Sequence, residues 1–81
     1  MQVVVIKIED IYVPTQRRKE LDPERVELAA EKVMDEADQL PILVRRGKER
    51  YVLVKGVNRL EAHKALGEET IQALIVSARR S

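Results

Sequence analysis

The alternation of apolar and polar positions divides the chain into six predicted elements and one further short apolar patch. Val3 to Ile8 is β-branched throughout except for Lys7 and predicts a strand, buried on both faces at its start. Ile11-Tyr12-Val13 is a second short apolar patch, closed by Pro14, and the polar stretch Thr15 to Glu20 predicts an exposed loop. Asp22-Pro23 then opens a helix, with Asp as N-cap and Pro at the first helical position. Glu24 and Glu27 sit near its positive end. Val26, Ala29, Ala30, Val33, Met34 and Ala37 recur at helical spacing, which predicts a helix to about Asp38 with Val26, Ala30, Val33, Met34 and Ala37 buried.

Ile42-Leu43-Val44 and Tyr51-Val52-Leu53-Val54 predict two strands joined by a hairpin over Arg45 to Arg50, with Gly47 in the turn. Pro41 is tolerated at the start of the first. Asn58 to Glu61 fits a capping pattern, a polar cap with Glu three positions on. A short helix from there runs to about Leu66 and stops at Gly67, with Ala62, Ala65 and Leu66 on one face against a sheet. Ile71 to Val76 is the last predicted strand, followed by the tail Arg79-Arg80-Ser81. The order is strand, helix, strand, strand, helix, strand. Two helices cannot cover both faces of a large doubly wound sheet, so a small α+β domain with a mixed sheet is predicted, one domain over residues 1–81.

Composition narrows the chemistry. Charged residues make up 36% of the 81, yet the formal net charge is +1, so no global field draws the chain to nucleic acid. Cysteine is absent, which removes disulfides, thiolate metal sites and any thiol nucleophile. A small secreted domain normally needs disulfide staples, so the cytoplasm is predicted. One histidine, His63, rules out a multi-histidine metal site and reads as an exposed helix residue. The apolar run Val3 to Ile6 is too short for a signal sequence or a membrane span.

The junction from Val54 to Glu61 carries the most chemistry. A strand delivers Lys55 and Gly56 to a helix start, where unpaired N–H groups and the helix dipole attract anions. Gly56 permits close approach, and Lys55 and Arg59 add positive charge. An ordinary capped turn needs the same residues. Arg17-Arg18-Lys19 is a second basic cluster. Arg45, Arg46, Lys48 and Arg50 form a third, either a solvated turn or a contact surface for a phosphate backbone. The acidic residues Asp22, Glu24, Glu27, Glu31, Asp35, Glu36 and Asp38 argue against nucleic acid lying along the first helix. Ser77 with His63, and the adjacent pairs Glu9-Asp10 and Glu68-Glu69, complete no catalytic constellation. No phosphate-loop, dinucleotide or metalloprotease spacing is present.

Three stretches together resemble the ParB/sulfiredoxin superfamily. Ile11-Tyr12-Val13-Pro14-Thr15-Gln16-Arg17-Arg18 is similar to that family's I-x-x-P-x-x-x-R opening. Leu21-Asp22-Pro23-Glu24-Arg25-Val26 is similar to the L-D-P-x-K-V helix start of sulfiredoxins. Pro41 to Val44, followed by Leu53 to Ala62, resembles P-I-x-V…L-x-x-G-x-x-R-x-x-A, and Ala65-Leu66-Gly67 and Thr70-Ile71 fit as well. The resemblance implies a small mixed sheet with helices and a nucleoside triphosphate, with magnesium, at the glycine-to-arginine turn. It places Gly56 and Arg59 in that turn, Arg18 at the opening arginine, and Arg25 at a nucleotide-contacting lysine.

Two departures bear on function. Where ParB proteins carry Gly-Glu-Arg-Arg, this chain has Gly56-Val57-Asn58-Arg59, so two polar groups of the turn are replaced. Where sulfiredoxins carry Gly-Cys-His-Arg, Val57 stands at the cysteine and Asn58 at the histidine, which excludes sulfinic acid reduction by the usual route. The helix-turn-helix and dimerisation domains of full ParB proteins have no counterpart in these 81 residues. The leading expectation is a stand-alone ParB-like domain that binds a nucleotide or other phosphorylated ligand at Lys55, Gly56, Val57, Asn58 and Arg59, with Arg18 and Arg25. The rivals are a DNA-associated partition-like or nuclease-like module, touching DNA weakly through the hairpin basics, and a degenerate interaction domain.

Overall fold

The computed structural model describes residues 2–35 and 40–77. The expected burial of Ala37, the expected helix end at Asp38 and the tail from Arg79 lie outside them. The elements are β1 (Val3–Lys7), a 3-10 turn (Ile8–Asp10), β2 (Ile11–Tyr12), α1 (Thr15–Arg18), α2 (Pro23–Asp35), β3 (Ile42–Arg46), β4 (Tyr51–Lys55), α3 (Val57–Ala65) and β5 (Thr70–Ile75).

The strands form one mixed sheet in the order β1-β5-β3-β4-β2. β1 and β5 are antiparallel, β5 and β3 parallel, β3 and β4 an antiparallel hairpin, and β4 and β2 parallel. The register shifts between Leu43 and Val44 where β3 meets β4. Ile6, Ile42, Val44, Leu53, Ile71 and Ala73 from the sheet and Ile8 from the 3-10 turn meet Val57 and Leu60 of α3 in the core. No aromatic ring enters the fully buried set, so β-branched and leucine side chains fill it.

The third layer is α2, which packs on α3. That explains a correction to the expected core. Val26, Ala30 and Val33 are only half-buried, and Met34 is 69% exposed. A 13-residue helix lying on a 9-residue one covers a narrow stripe and leaves its flanks in water. On α3, Ala62 is completely buried yet stands outside the sheet-side core, whereas Ala65 and Leu66 are exposed rather than packed. β1 also differs from expectation. It is an edge strand, and Val3 (53%) and Val5 (64%) face solvent because the core lies under the opposite face, where Ile6 points.

Local signals explain the boundaries. Asp22 does cap α2, its Oδ1 accepting the Glu24 N–H at 3.0 Å, with Pro23 as the first helical residue. Gly67, at φ +79°, ends α3 in a Schellman motif. The Glu68 N–H donates to the His63 carbonyl and the Gly67 N–H to the Lys64 carbonyl, both at 3.0 Å. The stretch expected to be a loop contains the one-turn helix α1, because Pro14 is pre-set for a helix start and its carbonyl accepts the N–H groups of Arg17 and Arg18.

Candidate functional site

β4 ends at Lys55 and α3 begins at Val57, so a single residue turns the chain from sheet to helix. That residue is Gly56, at φ +111°. A Cβ there would fall 2.8 Å from Ile42 Cγ2, inside the core, so glycine is required twice over, by dihedral and by space. The first helical bond runs from the Leu60 N–H to the Gly56 carbonyl at 2.9 Å. The N–H groups of Val57 and Asn58 come before it and have no intrahelical acceptor. The cap is therefore Gly56 and not Asn58, and no side chain caps α3.

Asn58 has another task. Its Oδ1 accepts the Asp22 backbone N–H at 2.8 Å, and its Nδ2 donates to the Glu20 carbonyl at 3.3 Å. The side chain thus ties the entry of α2 to the first turn of α3. Ala62 follows one helical turn later on the same face, and its small size lets α2 approach. Arg25 lies in the first turn of α2, exposed, with Nε 3.9 Å from the Asp22 carboxylate. Lys55 is exposed at the end of β4, and Arg59 is half-buried. Around α3, Arg59 comes about 200° from Val57. It stands one turn before His63.

His63 is half-buried and not an exposed helix residue, and its Nδ1 is buried without a hydrogen-bond partner. Burial holds its pKa below the ordinary histidine value. The Glu68 carboxylate works against that shift and the Arg59 charge adds to it.

The basic cluster on α1 splits. Arg17 is half-buried and structural: its Nη1 donates to the Val54 carbonyl at 3.3 Å and meets the Glu20 carboxylate at 3.1 Å, docking α1 onto β4. Arg18 donates from Nε to the Val13 carbonyl at 3.2 Å and lines a cavity of about 360 Å³. Val57 lines the same cavity, with Glu61 and Lys64 from α3 and Tyr12 and Arg50 from the other side. The structure therefore brings Arg18 to Val57, while Lys55, Gly56, Asn58, Arg59 and Arg25 lie outside that lining. The sequence reading assigned no ligand-binding role to Tyr12, Glu61 or Lys64. The signal available was the i, i+4, i+7 spacing of Val57, Glu61 and Lys64, which puts them on one stripe.

Three of the hairpin basics, Arg46, Lys48 and Arg50, line one depression at the turn, and Arg45 stands apart from them. Arg45 and Arg46 are consecutive in β3 and point to opposite faces. The Arg50 guanidinium lies over the Tyr12 ring, 4.8 Å from its centroid, beside the cavity. Lys48 is exposed in the turn. Among the described residues no group of His, Asp and Glu side chains gathers to hold a metal ion, and no helix is long and apolar enough to cross a membrane.

Comparison with known proteins identifies the architecture. The chain superposes on sulfiredoxin from Arabidopsis thaliana with a TM-score of 0.83 and 28% identity, over 96% of this chain and 88% of that one. It matches the chromosome-partitioning protein ParB from Caulobacter crescentus, complexed with CTP-gamma-S, with a TM-score of 0.78, 23% identity and coverage of 98% and 46%. It matches a mutant free serine kinase in complex with ADP with a TM-score of 0.79, 22% identity and coverage of 94% and 31%. The chain thus spans less than half the length of the ParB and kinase chains. No curated protein matches the sequence. The fold is that of the ParB/sulfiredoxin superfamily. The family profile described as the ParB N-terminal domain matches residues 1–81, and the chain belongs to that family.

Proposed function

We propose that the protein binds a nucleotide by its phosphates at the turn from β4 into α3. The observation that carries this reading is the Gly56 turn, where the Val57 and Asn58 N–H groups precede the first helical bond and the positive end of α3 is presented. Lys55, Arg59 and Arg25 supply charge around the turn, and Arg18 approaches it from α1 beside Val57. Proteins of the same fold bound to CTP-gamma-S and to ADP support the reading. The tie from Asn58 to α2 limits its role. Its side chain holds the frame, and its backbone N–H serves the ligand.

A nucleoside triphosphate would bring magnesium on its phosphate oxygens, since this ion keeps oxygen ligands and water and needs no protein cage. No catalytic group is assigned. A DNA-associated module and a degenerate interaction domain remain the alternatives.

NMR shift mapping with ATP, CTP and pyrophosphate, with and without magnesium, tests the proposal. Shifts centred on Gly56 to Arg59, with Arg18 and Arg25, are expected. Arg59→Ala should weaken binding about ten- to a hundredfold, the worth of one charged hydrogen bond. No shifts at millimolar ligand, or shifts confined to the hairpin, would exclude it.

A further inference from the structure

The two edges of the sheet are built differently. β2 is two residues long, follows Glu9 and Asp10, and is closed by Pro14, so it offers another strand little to pair with. β1 forms the opposite edge with five residues, and Val3 to Ile6 holds no charge, proline or glycine. Its register with β5 runs unbroken from Val3 to Lys7, with no bulge to bend it away. The phase of that ladder fixes where the backbone of β1 faces. The Ile8 N–H donates to the Glu69 carbonyl at 3.0 Å, and the pairing of Lys7 with Thr70 sets these two residues opposite each other. In an antiparallel pair every second residue exchanges both bonds with its opposite number. Ile6 and Val4 therefore bond to β5, while the N–H and C=O groups of Val3, Val5 and Lys7 point off the sheet. Among the described residues no strand meets them. The side chains of the same three residues are exposed on the open face.

We propose that β1 pairs antiparallel with β1 of a second copy of this chain, about a twofold axis at Val5, joining the two sheets into one. The strand is complementary to itself. Its outward groups fall on odd positions, so pairing about a twofold axis must set odd against odd. With Val5 opposite its own copy, Val3 meets Lys7 of the second copy and the whole strand overlaps. Each opposed odd pair then exchanges two backbone bonds. The methylene stem of Lys7 covers the opposed Val3. The two lysines sit at opposite ends of the ladder, about 14 Å apart at about 3.4 Å per residue, beyond the screening length of about 10 Å at ordinary salt. A segment of another protein would have to match this alternation independently, whereas a second copy matches it by symmetry. A single strand ladder buries less than the roughly 1,200 Å² of a stable interface, so the dimer is reversible and forms with concentration. β5 and β3 lie between β1 and β4, which keeps this edge clear of the nucleotide turn. The pairing and the nucleotide reading can therefore fail separately.

The test combines sedimentation equilibrium of the full chain, from micromolar to millimolar concentration, with amide hydrogen exchange over the same range. The mass should rise from monomer to dimer. The Val3, Val5 and Lys7 amides should exchange freely in dilute protein and become protected as the dimer forms, while those of Val4 and Ile6 are protected throughout. Val5→Lys sets two like charges directly opposite and should abolish the rise in mass while keeping the folded spectrum, because Val5 is exposed. Met34→Lys, an equally exposed change on α2, should leave the dimer unaltered. Charge changes at Val3 read the register. Val3→Glu faces Lys7 of the second copy twice and Val3→Lys repels it twice, so the second should dimerise about fivefold or more weakly than the first. A chain still monomeric at millimolar concentration would leave the edge to another protein and overturn the proposal. A dimer indifferent to Val5→Lys would overturn it too, as would one whose Val3, Val5 and Lys7 amides stay unprotected, or equal affinities for the two Val3 variants.

Discussion

Asn58 Oδ1 accepts the Asp22 backbone N–H at 2.8 Å, across 36 positions of sequence. Asp22 in turn caps α2 through its own Oδ1, so one residue is held by α3 while it starts the helix that packs on α3. The first turn of α3, where the ligand is proposed, is thereby fixed by α2 from outside the sheet.

Asn58→Ala should lower the unfolding free energy by about 1–3 kcal/mol, since a part-buried N–H loses its acceptor. Asn58→Asp should lose less, because it keeps the acceptor and gives up only the donor to Glu20. Urea midpoints of the three proteins check this. A side chain that served only a ligand would leave all three midpoints equal.

Gly56→Ala should cost about 1–3 kcal/mol from the φ of +111° alone, and more from the contact with Ile42 Cγ2. Thermal melting measures it. An unchanged melting temperature would mean that the turn is not held against the core as described.

Met34→Lys should change stability by no more than about 0.5 kcal/mol, since Met34 is exposed on the outer layer. Leu60→Ala, at the centre of the core, should cost about 2–5 kcal/mol. Chemical denaturation of the pair separates the two layers, and equal losses would contradict the burial pattern.

His63 should make the fold sensitive to acid. Its pKa is lower folded than unfolded, so the unfolded chain binds the proton more readily. Its contribution is complete above the ordinary value of about 6.5 and is lost as pH falls through the folded value below that. Denaturant midpoints at pH 7.5 and 5.5 should therefore drop for the native protein. The part of the drop due to His63 should vanish in His63→Gln, and a variant with the same slope would remove His63 as its cause.

The order of the longer strands and helices was legible because each segment carries its own period and its own punctuation, Asp22-Pro23 at one helix and Gly67 at the other, whereas β2 read only as an apolar patch and α1 as a loop. What sequence could not show was which face meets what. Met34 and Val33 share a helical pattern, but only the position of α2 on top of α3 decides that the pattern is half-buried. Asn58 carried a capping signal that was correct in kind and wrong in target: it satisfies a backbone N–H, but one belonging to α2's entry. Gly56 was legible as special, although its nearest constraint is Ile42 and not a ligand. The cavity was hardest to see, because Tyr12, Arg18, Arg50 and Lys64 come from four separate parts of the chain, which only the β2–β4 pairing and the tie from Arg17 to Val54 bring together.

The position of β5 has a consequence for how the protein is made. The strand latest in sequence lies second in the sheet, with Val3 of β1 paired to its Leu74 and Leu43 of β3 beside the same residue. On a ribosome the chain emerges from its N-terminal side, so β1 waits without its partner until β5, about 65 residues later, has been synthesised. The β3–β4 hairpin and the helices can form early, while the Val-Val-Val-Ile run stays exposed. Completing the sheet closes the longest loop in the chain, which makes β5 insertion the natural slow step and the interval in which the nascent protein is most prone to aggregate.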